Sequence, residues 1–395
     1  MPSRSFDVVI AGAGPAGLAA GLASVRGGLK TLLLEKHAAI GQPLNCAEGV
    51  PARSFEEVLP LRKEWIKNRI NRGLLFAPSG KCCDLPYRNA GYVIDRPRME
   101  QDLAEDFTAA GGELRLNCRA VRLRGKADRF DALEAVDDGG RGTLFRARVF
   151  IAADGVESSI ARLAGIDNRL DIYETDSLLQ YHLTGVEVDP ETVEIYLGNQ
   201  VAPKSYAWVF PQGKSEANVG LGVASIKNEN PDAVTYLERF IEKRFGMAAV
   251  TRKACGTCPL YRGPDKLARG NLLVVGDAAR VLDSLSGAGI INALYSGKTA
   301  GEAAAAYLAG EGDDPAVLHR IYPERFLRER DRELEMYYKL KKVLVKLTDY
   351  DLNDIVEVLD EYFAQKEQKP FNAIKIILNA LTKRPRLLKL ARHLF

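Results

Sequence analysis

Short apolar runs closed by glycines mark the two ends of a distinctive pattern in this chain. Val8 to Ala11 are four consecutive apolar residues, read as a short buried parallel strand, and Ala16 to Val25 then reads as a helix. A second apolar strand, Thr31 to Leu34, follows and ends in Glu35. From Lys36 to Ala52 periodicity disappears, and the mix of small residues with Cys46 and Glu48 favours a loop pressed against a ligand. Leu74 to Tyr87 reads as strand, turn and strand, with Pro78-Ser79-Gly80 at the turn. Arg96 opens a loop and helix closed by Gly111-Gly112. Glu113 to Leu123 is expected as one strand, and a hairpin through Asp137 to Gly140 leads to the apolar strand Val149 to Ala153. Ala161 to Ala164 begins a short helix. From Asp171 to Pro264 the pattern is successive strands, interrupted by an amphipathic helix, Pro231 to Phe245. Asn271 to Val275 returns to the parallel-strand pattern, a helix follows over Ile290 to Leu308, and from Pro315 the chain is helical and Lys-rich.

Two distant segments therefore rebuild one α/β unit around an inserted antiparallel sheet. The expected boundaries are 1–72, 93–170 and 265–312 for the α/β domain, 73–92 and 171–264 for the sheet domain, and 313–395 for a C-terminal helical region. Composition narrows the class. Apolar content of 46% and charged content of 27% over 395 residues are those of an ordinary globular protein. A net charge of +3 argues against nucleic-acid binding as a global property. No apolar run approaches the roughly 18 to 20 residues that span a bilayer. Six cysteines without a secretory signal suggest a reducing, cytoplasmic setting.

The candidate chemistry begins at Gly12, Gly14 and Gly17, spaced G-x-G-x-x-G between strand and helix. Gly12 turns the chain, Gly14 admits a pyrophosphate, and Gly17 lets the helix pack on the strand. Pro15 and Ala16 open the helix, whose N-terminus suits phosphate. Glu35, with Lys36 beside it, stands where an acid accepts ribose hydroxyls. Asp154-Gly155 and Gly276-Asp277 close later strands in the same style, and Gly287-Ala288-Gly289 opens the helix from Ile290. A glycine cradle joined to a segment about 260 residues away is the layout of large FAD enzymes.

These residues together resemble the para-hydroxybenzoate hydroxylase-like FAD superfamily, and within it the geranylgeranyl reductase family. Pro43 to Gly49 resembles that family's P-x-x-C-(G/A)-E-G loop, and Tyr206 to Pro211 its Y-x-W-x-F-P motif. Asn218 to Gly222 resembles the next strand, and Arg162 stands eight residues after Asp154, as in the family. The resemblance covers nearly the whole chain. It implies an FAD-binding Rossmann-like domain with an inserted antiparallel β-sheet substrate domain and a C-terminal helical region. It also implies FAD contacts at Ala16, Glu35, Cys46, Ala47, Gly49, Arg96, Ala120, Asp277, Gly289 and Ile290, with Cys46 as a candidate in the chemistry. Ala120 would touch the adenine and Asp277 the ribityl chain. Three positions depart from the family pattern: Ser284 replaces Pro, Ala288 replaces Gly and Asn45 replaces Arg.

The implied activity is reduction of C=C bonds in geranylgeranyl chains of an isoprenoid lipid by hydride transfer from reduced flavin. Tyr206, Trp208 and Phe210 alternate along one strand face, either as an ordinary aromatic core or as the wall of an apolar tunnel, with Pro211 ending the strand. An aromatic hydroxylase and a non-catalytic FAD- or lipid-binding peripheral protein are the competing readings. The electron donor stays open between NAD(P)H, a ferredoxin and a quinol-type donor. Cys255 and Cys258 form a C-x-x-C, open between structural thiols, a redox pair and a metal site. No metal is otherwise expected. From Lys366 onward the chain is basic and amphipathic, either as a solvated helix or as a segment drawn to an anionic membrane surface on the cytoplasmic face.

Overall fold

A computed structural model of the chain describes residues 3–85, 90–126, 129–168, 170–224, 232–261, 263, 267–310 and 314–364. The basic segment from Lys366, like Tyr87, lies outside the described residues. The fold is α/β with an inserted antiparallel sheet.

A six-stranded sheet forms the first layer, in the order Ala268–Arg269, Leu272–Val274, Val149–Ala152, Val8–Ala11, Thr31–Leu34 and Glu113–Arg115. Its inner strands pair in parallel and are buried throughout, as expected for strands covered on both faces. Two helices, Pro15–Arg26 and Ile290–Ala309, pack against each other over it. Small residues allow that approach. A Cβ on Gly297 would lie 2.0 Å from the Ala16 carbonyl oxygen, and one on Gly301 2.4 Å from that of Ala20.

Glu113 to Leu123 is two strands instead of one. Glu113–Arg115 joins the parallel sheet, whereas Cys118–Lys126 belongs to a separate four-stranded sheet with Arg129–Asp137, Gly142–Arg146 and Ser3–Ser5. Asn117 between them adopts a left-handed backbone with φ 51°, so the run of apolar and polar residues changes sheets at that point.

The inserted sheet has seven strands, in the order Ala249–Pro259, Thr175–Thr184, Glu216–Ala224, Tyr206–Pro211, Thr192–Leu197, Arg72–Phe76 and Cys82–Leu85. Strand alternation gives it two unlike faces. One face packs Tyr181, Leu183, Ala207, Val209, Val219 and Leu221 against Leu237, Phe240 and Ile241 of the Ala233–Phe245 helix. The opposite face carries Tyr206, Trp208 and Phe210 and borders a cavity. Gly220 is required here because the Trp208 indole lies flat on it. An added Cβ would sit 2.3 Å from the ring and 2.7 Å from the Leu179 carbonyl oxygen.

Past the parallel sheet the chain continues through the Ala316–Phe326 helix and a π-helical turn, Leu327–Asp331, into two further helices, Arg332–Leu344 and Asp349–Ala364. These roof the cavity face of the inserted sheet. Lys204 Nζ donates to the Leu347 carbonyl (2.9 Å), Asn199 N–H to Asp349 (2.8 Å), and Ser79 N–H to Asn353 (2.9 Å). Val356 is buried against Ala77 and Cys83, with Leu359 and Phe363 beside it.

Gly220→Ala is expected to destabilise the protein by about 1–3 kcal/mol, because the indole must leave its rotamer or the strands must part. A fall in the urea midpoint at unchanged m-value checks this; an unchanged midpoint would show that the indole has room to shift.

Candidate active site

The G-x-G-x-x-G turn is held by its own geometry. Gly12 has φ 103°, and a Cβ there would meet the Ala153 carbonyl oxygen at 2.3 Å. At Gly17 a Cβ would meet the Gly12 carbonyl oxygen at 1.8 Å. Gly14 is different: nothing lies within 4 Å of the position a Cβ would take. The Pro15–Arg26 helix that follows has no side-chain cap and no acid in its first turn. Its first N–H groups and its partial positive charge are therefore left for an anion, and the open space beside Gly14 is where a pyrophosphate fits. The residues present fit a dinucleotide.

Glu35 is buried at the end of the second strand. One oxygen accepts from Ala13 N–H (2.9 Å) and the other from His37 N–H (3.0 Å), with His37 Nδ1 at 2.6 Å from the latter. It thus braces the glycine turn through the Ala13 backbone. Lys36 points outward to Glu157 at 3.1 Å. Asp154 accepts from Ile160 N–H (2.9 Å), its other oxygen is buried with no partner among the described residues, and burial pushes its carboxyl up.

A single cavity of about 900 Å³ joins this cradle to the inserted sheet. Gly14, Pro15, Ala16, Cys46, Ala47, Gly49, Arg96, Gly155, Asp277, Gly287, Gly289 and Ile290 line it, as do Tyr206, Trp208 and Phe210. Gly12, Gly17, Glu35, Lys36, Ala120, Asp154 and Pro211 do not. Gly12, Gly17 and Glu35 support the turn from behind. Ala120 is half-buried on the strand that changed sheets, and the Pro211 carbonyl accepts from Asn68 Nδ2 at 2.7 Å.

The loop carrying Cys46 is fixed by a buried polar network. Glu48, wholly buried at φ 67°, receives Arg96 N–H (3.0 Å), Lys67 Nζ (3.1 Å) and Gln212 Nε2 (2.8 Å). Glu48 N–H donates to Cys46 Sγ at 3.3 Å, and Gln180 Nε2 donates to the Cys46 carbonyl at 2.9 Å. Burial pushes the Cys46 thiol up, against the nearby Arg96 guanidinium. The thiol therefore keeps its proton at neutral pH. Asp277 is also pushed up by burial, with Arg96 opposing. The Ile290–Ala309 helix starts at Gly289 without a side-chain cap, so its N-terminus too is open toward the cavity.

The three aromatics form a row along the wall. Tyr206 and Trp208 are 6.0 Å apart and Trp208 and Phe210 6.4 Å apart between ring centroids. The Tyr206 hydroxyl donates to the Ser286 carbonyl, tying the wall to the loop before the second helix. The Phe210 ring packs on Gly49, where a Cβ would lie 2.7 Å from it.

Sequence reasoning missed Leu178, Gln180, Val193 and Ile195 on the sheet, and Leu340, Val343, Leu344 and Leu347 under the roof, all of which line the cavity. The roof residues recur at i, i+3, i+4 and i+7, a readable signal. Cys255 is exposed and Cys258 buried. Three residues apart on one strand, their side chains leave opposite faces, so the two thiols are not arranged as a pair. Among the described residues no cluster suits a metal ion, and none of the helices is long and apolar enough to cross a membrane.

Comparison with known proteins bears on this site. Residues 174–256 match the geranylgeranyl reductase catalytic domain family, and residues 7–57 match an FAD binding domain family. The chain is 36% identical to the digeranylgeranylglycerophospholipid reductase of Methanocaldococcus jannaschii, over 98% of each chain. It is 34% identical to that of Methanosarcina acetivorans, over 90% of this chain and 89% of the relative. A solved geranylgeranyl bacteriochlorophyll reductase-like protein from Thermoplasma acidophilum superposes with a TM-score of 0.91 at 27% identity, over the full length of both chains. A flavin-dependent brominase superposes at 0.72 with 18% identity, covering 96% of this chain and 100% of its own, a likeness of fold alone.

Gly14→Ala and Gly17→Ala should separate cofactor binding from folding. Gly14→Ala is expected to leave the melting temperature of the cofactor-free protein unchanged while FAD content falls at least tenfold. Gly17→Ala is expected to lower both. Full FAD content in Gly14→Ala would remove that residue from the phosphate site.

Proposed function

This chain belongs to the digeranylgeranylglycerophospholipid reductase family, and on that premise we propose that its cavity holds the geranylgeranyl chains of an isoprenoid glycerolipid beside FAD. The protein is an FAD-dependent oxidoreductase acting on CH–CH groups, and it saturates C=C bonds of geranylgeranyl chains. The observation that carries the placement of the lipid is the continuous, mostly apolar cavity running from the glycine cradle to the aromatic strand.

In this reading Gly14, Pro15 and Ala16 would hold the pyrophosphate with Arg96 on its side, and Glu35 would face the ribose. Asp277 meets the ribityl chain. Gly287, Gly289 and Ile290 present a helix N-terminus whose partial positive charge suits an anionic reduced ring. FAD, when bound and reduced, supplies hydride. The chain supplies the rest. Tyr206, Trp208 and Phe210 bury the prenyl chain at about 0.8 kcal/mol per CH₂. An isolated alkene has no carbonyl to accept charge, so a proton must reach its second carbon. Cys46 holds a proton on the cavity wall and is the candidate donor.

The division of labour assigns 1–72, 93–170 and 265–312 to FAD, 73–92 and 171–264 to the substrate, and 313–395 to a helical region whose described part roofs the cavity. The electron donor is NAD(P)H, a ferredoxin or a quinol-type reductant. The basic segment from Lys366 draws the protein to the cytoplasmic face of an anionic membrane, where its lipid substrate resides.

Dithionite-reduced protein incubated with geranylgeranyl glycerolipid should yield products heavier by multiples of two hydrogens in mass spectra; unaltered lipid with reoxidised flavin would defeat the reading. Cys46→Ala is expected to slow single-turnover reduction by about 10²-fold with FAD content retained. A wild-type rate removes Cys46 from the proton path. Binding to anionic liposomes should weaken with salt and be lost on truncation after Thr382; absence of binding at low salt ends the membrane proposal.

A further inference from the structure

Among the cavity-lining residues of the seven-stranded sheet, Asp176 is the one charged side chain. Strand alternation turns Asp176, Leu178 and Gln180 to the same face. Gln180 is satisfied by the Cys46 carbonyl. Asp176 is only half satisfied. Its Oδ2 receives Lys341 Nζ and the Ser205 hydroxyl (3.2 Å), while Oδ1 is buried with no partner among the described residues. Lys341 Nζ also donates to the Lys204 carbonyl at 3.3 Å. The two side chains are 9% and 2% exposed.

Lys341 comes from the roof helix, and its neighbours Leu340, Val343 and Leu344 line the cavity. The pair therefore ties roof to sheet at the cavity wall, with Asp176 on the lining and Lys341 behind it. It lies four residues along one strand from Gln180 and the Cys46 loop, roughly 14 Å at the rise of an extended chain. A buried ion pair is a poor source of stability compared with apolar residues of the same volume. It is, however, a polar wall on which hydrocarbon gains no apolar burial, and neither partner can swing aside without leaving the other's charge buried and unpaired.

We propose that the Asp176–Lys341 pair is a polar stop that fixes how far an isoprenoid chain threads along the sheet, so that carbons reaching past it gain no binding. This rests on the lipid reading above. Neither residue lies in the glycine cradle or the Cys46 loop, and Lys341 lies outside both matched family segments.

The test replaces the pair by apolar residues and measures binding to the FAD-loaded full chain. Bound geranylgeraniol and its homologue one isoprene unit longer are recovered after gel filtration and counted by mass spectrometry. The native protein should bind the two within about threefold of each other, because the added carbons find no apolar wall. The Asp176→Leu, Lys341→Met variant should favour the longer alcohol by at least tenfold, each newly buried methylene being worth about fourfold. Asp176→Asn with Lys341→Met, which nearly keeps the volume, should give an intermediate ratio and serves if leucine does not pack. Lys341→Met alone should lower the melting temperature and the double replacement restore it. The same chain-length ratio in the native protein and in a folded double variant would overturn the stop. A native protein that binds neither alcohol would bring down the lipid reading itself.

Discussion

The close approach of two helices drawn from opposite ends of the chain is the constraint on which the site depends. Pro15–Arg26 and Ile290–Ala309 touch through Gly297 and Gly301 against the backbone of Ala16 and Ala20. No side chain larger than hydrogen fits at those points, and a wider spacing would move the start of the second helix away from the glycine cradle. That start, at Gly287 to Ile290, and the cradle at Gly14 then face one cavity. Two helix N-termini without side-chain caps converge there, an arrangement whose unpaired N–H groups ask for an anionic ligand.

The inserted sheet supplies the other wall because only one of its faces is filled. Leu237, Phe240 and Ile241 take the Val209 and Leu221 face. The Trp208 face is left with large rings lying over glycine and with a helical roof anchored at its rim through Lys204, Asn199 and Ser79. A cavity persists between packed layers only when its lining cannot collapse. Here the strands below and the roof helices above are each held by their own hydrogen bonds, and a cavity of about 900 Å³ stays open beside them.

Polar groups inside such a cavity are costly unless paired, and the pairs mark out its functional points. Glu48 gathers Lys67, Gln212 and the Arg96 backbone, and so aims Cys46 at the cavity with its proton in place. Tyr206 is tied to Ser286, coupling the aromatic wall to the loop beside the second helix start. The three positions that depart from the motifs the sequence resembles lie on these loops. Asn45, Ser284 and Ala288 all line the cavity, and the Ser284 hydroxyl accepts from Tyr261 N–H at 2.7 Å, a bond proline in its place could not make.

Local pattern alone determined much of this protein. The glycine spacing, the apolar strands at Val8, Thr31 and Val149, and the alternation of Tyr206, Trp208 and Phe210 are each set within a dozen residues, and the structure places them as the pattern implies. Motif resemblance added the family. Tertiary structure alone decided the rest, because it depends on who meets whom. The break at Asn117 sends one apparent strand into two sheets and leaves Ala120 outside the cavity. Cys255 and Cys258 leave structural thiols, a redox pair and a metal site open in sequence, and the strand that carries them sends their side chains to opposite faces. Lys341 reads as one more lysine on a charged helix. Only the fold carries it 165 positions back along the chain to a buried carboxylate, because a charge reveals its partner through burial and not through spacing.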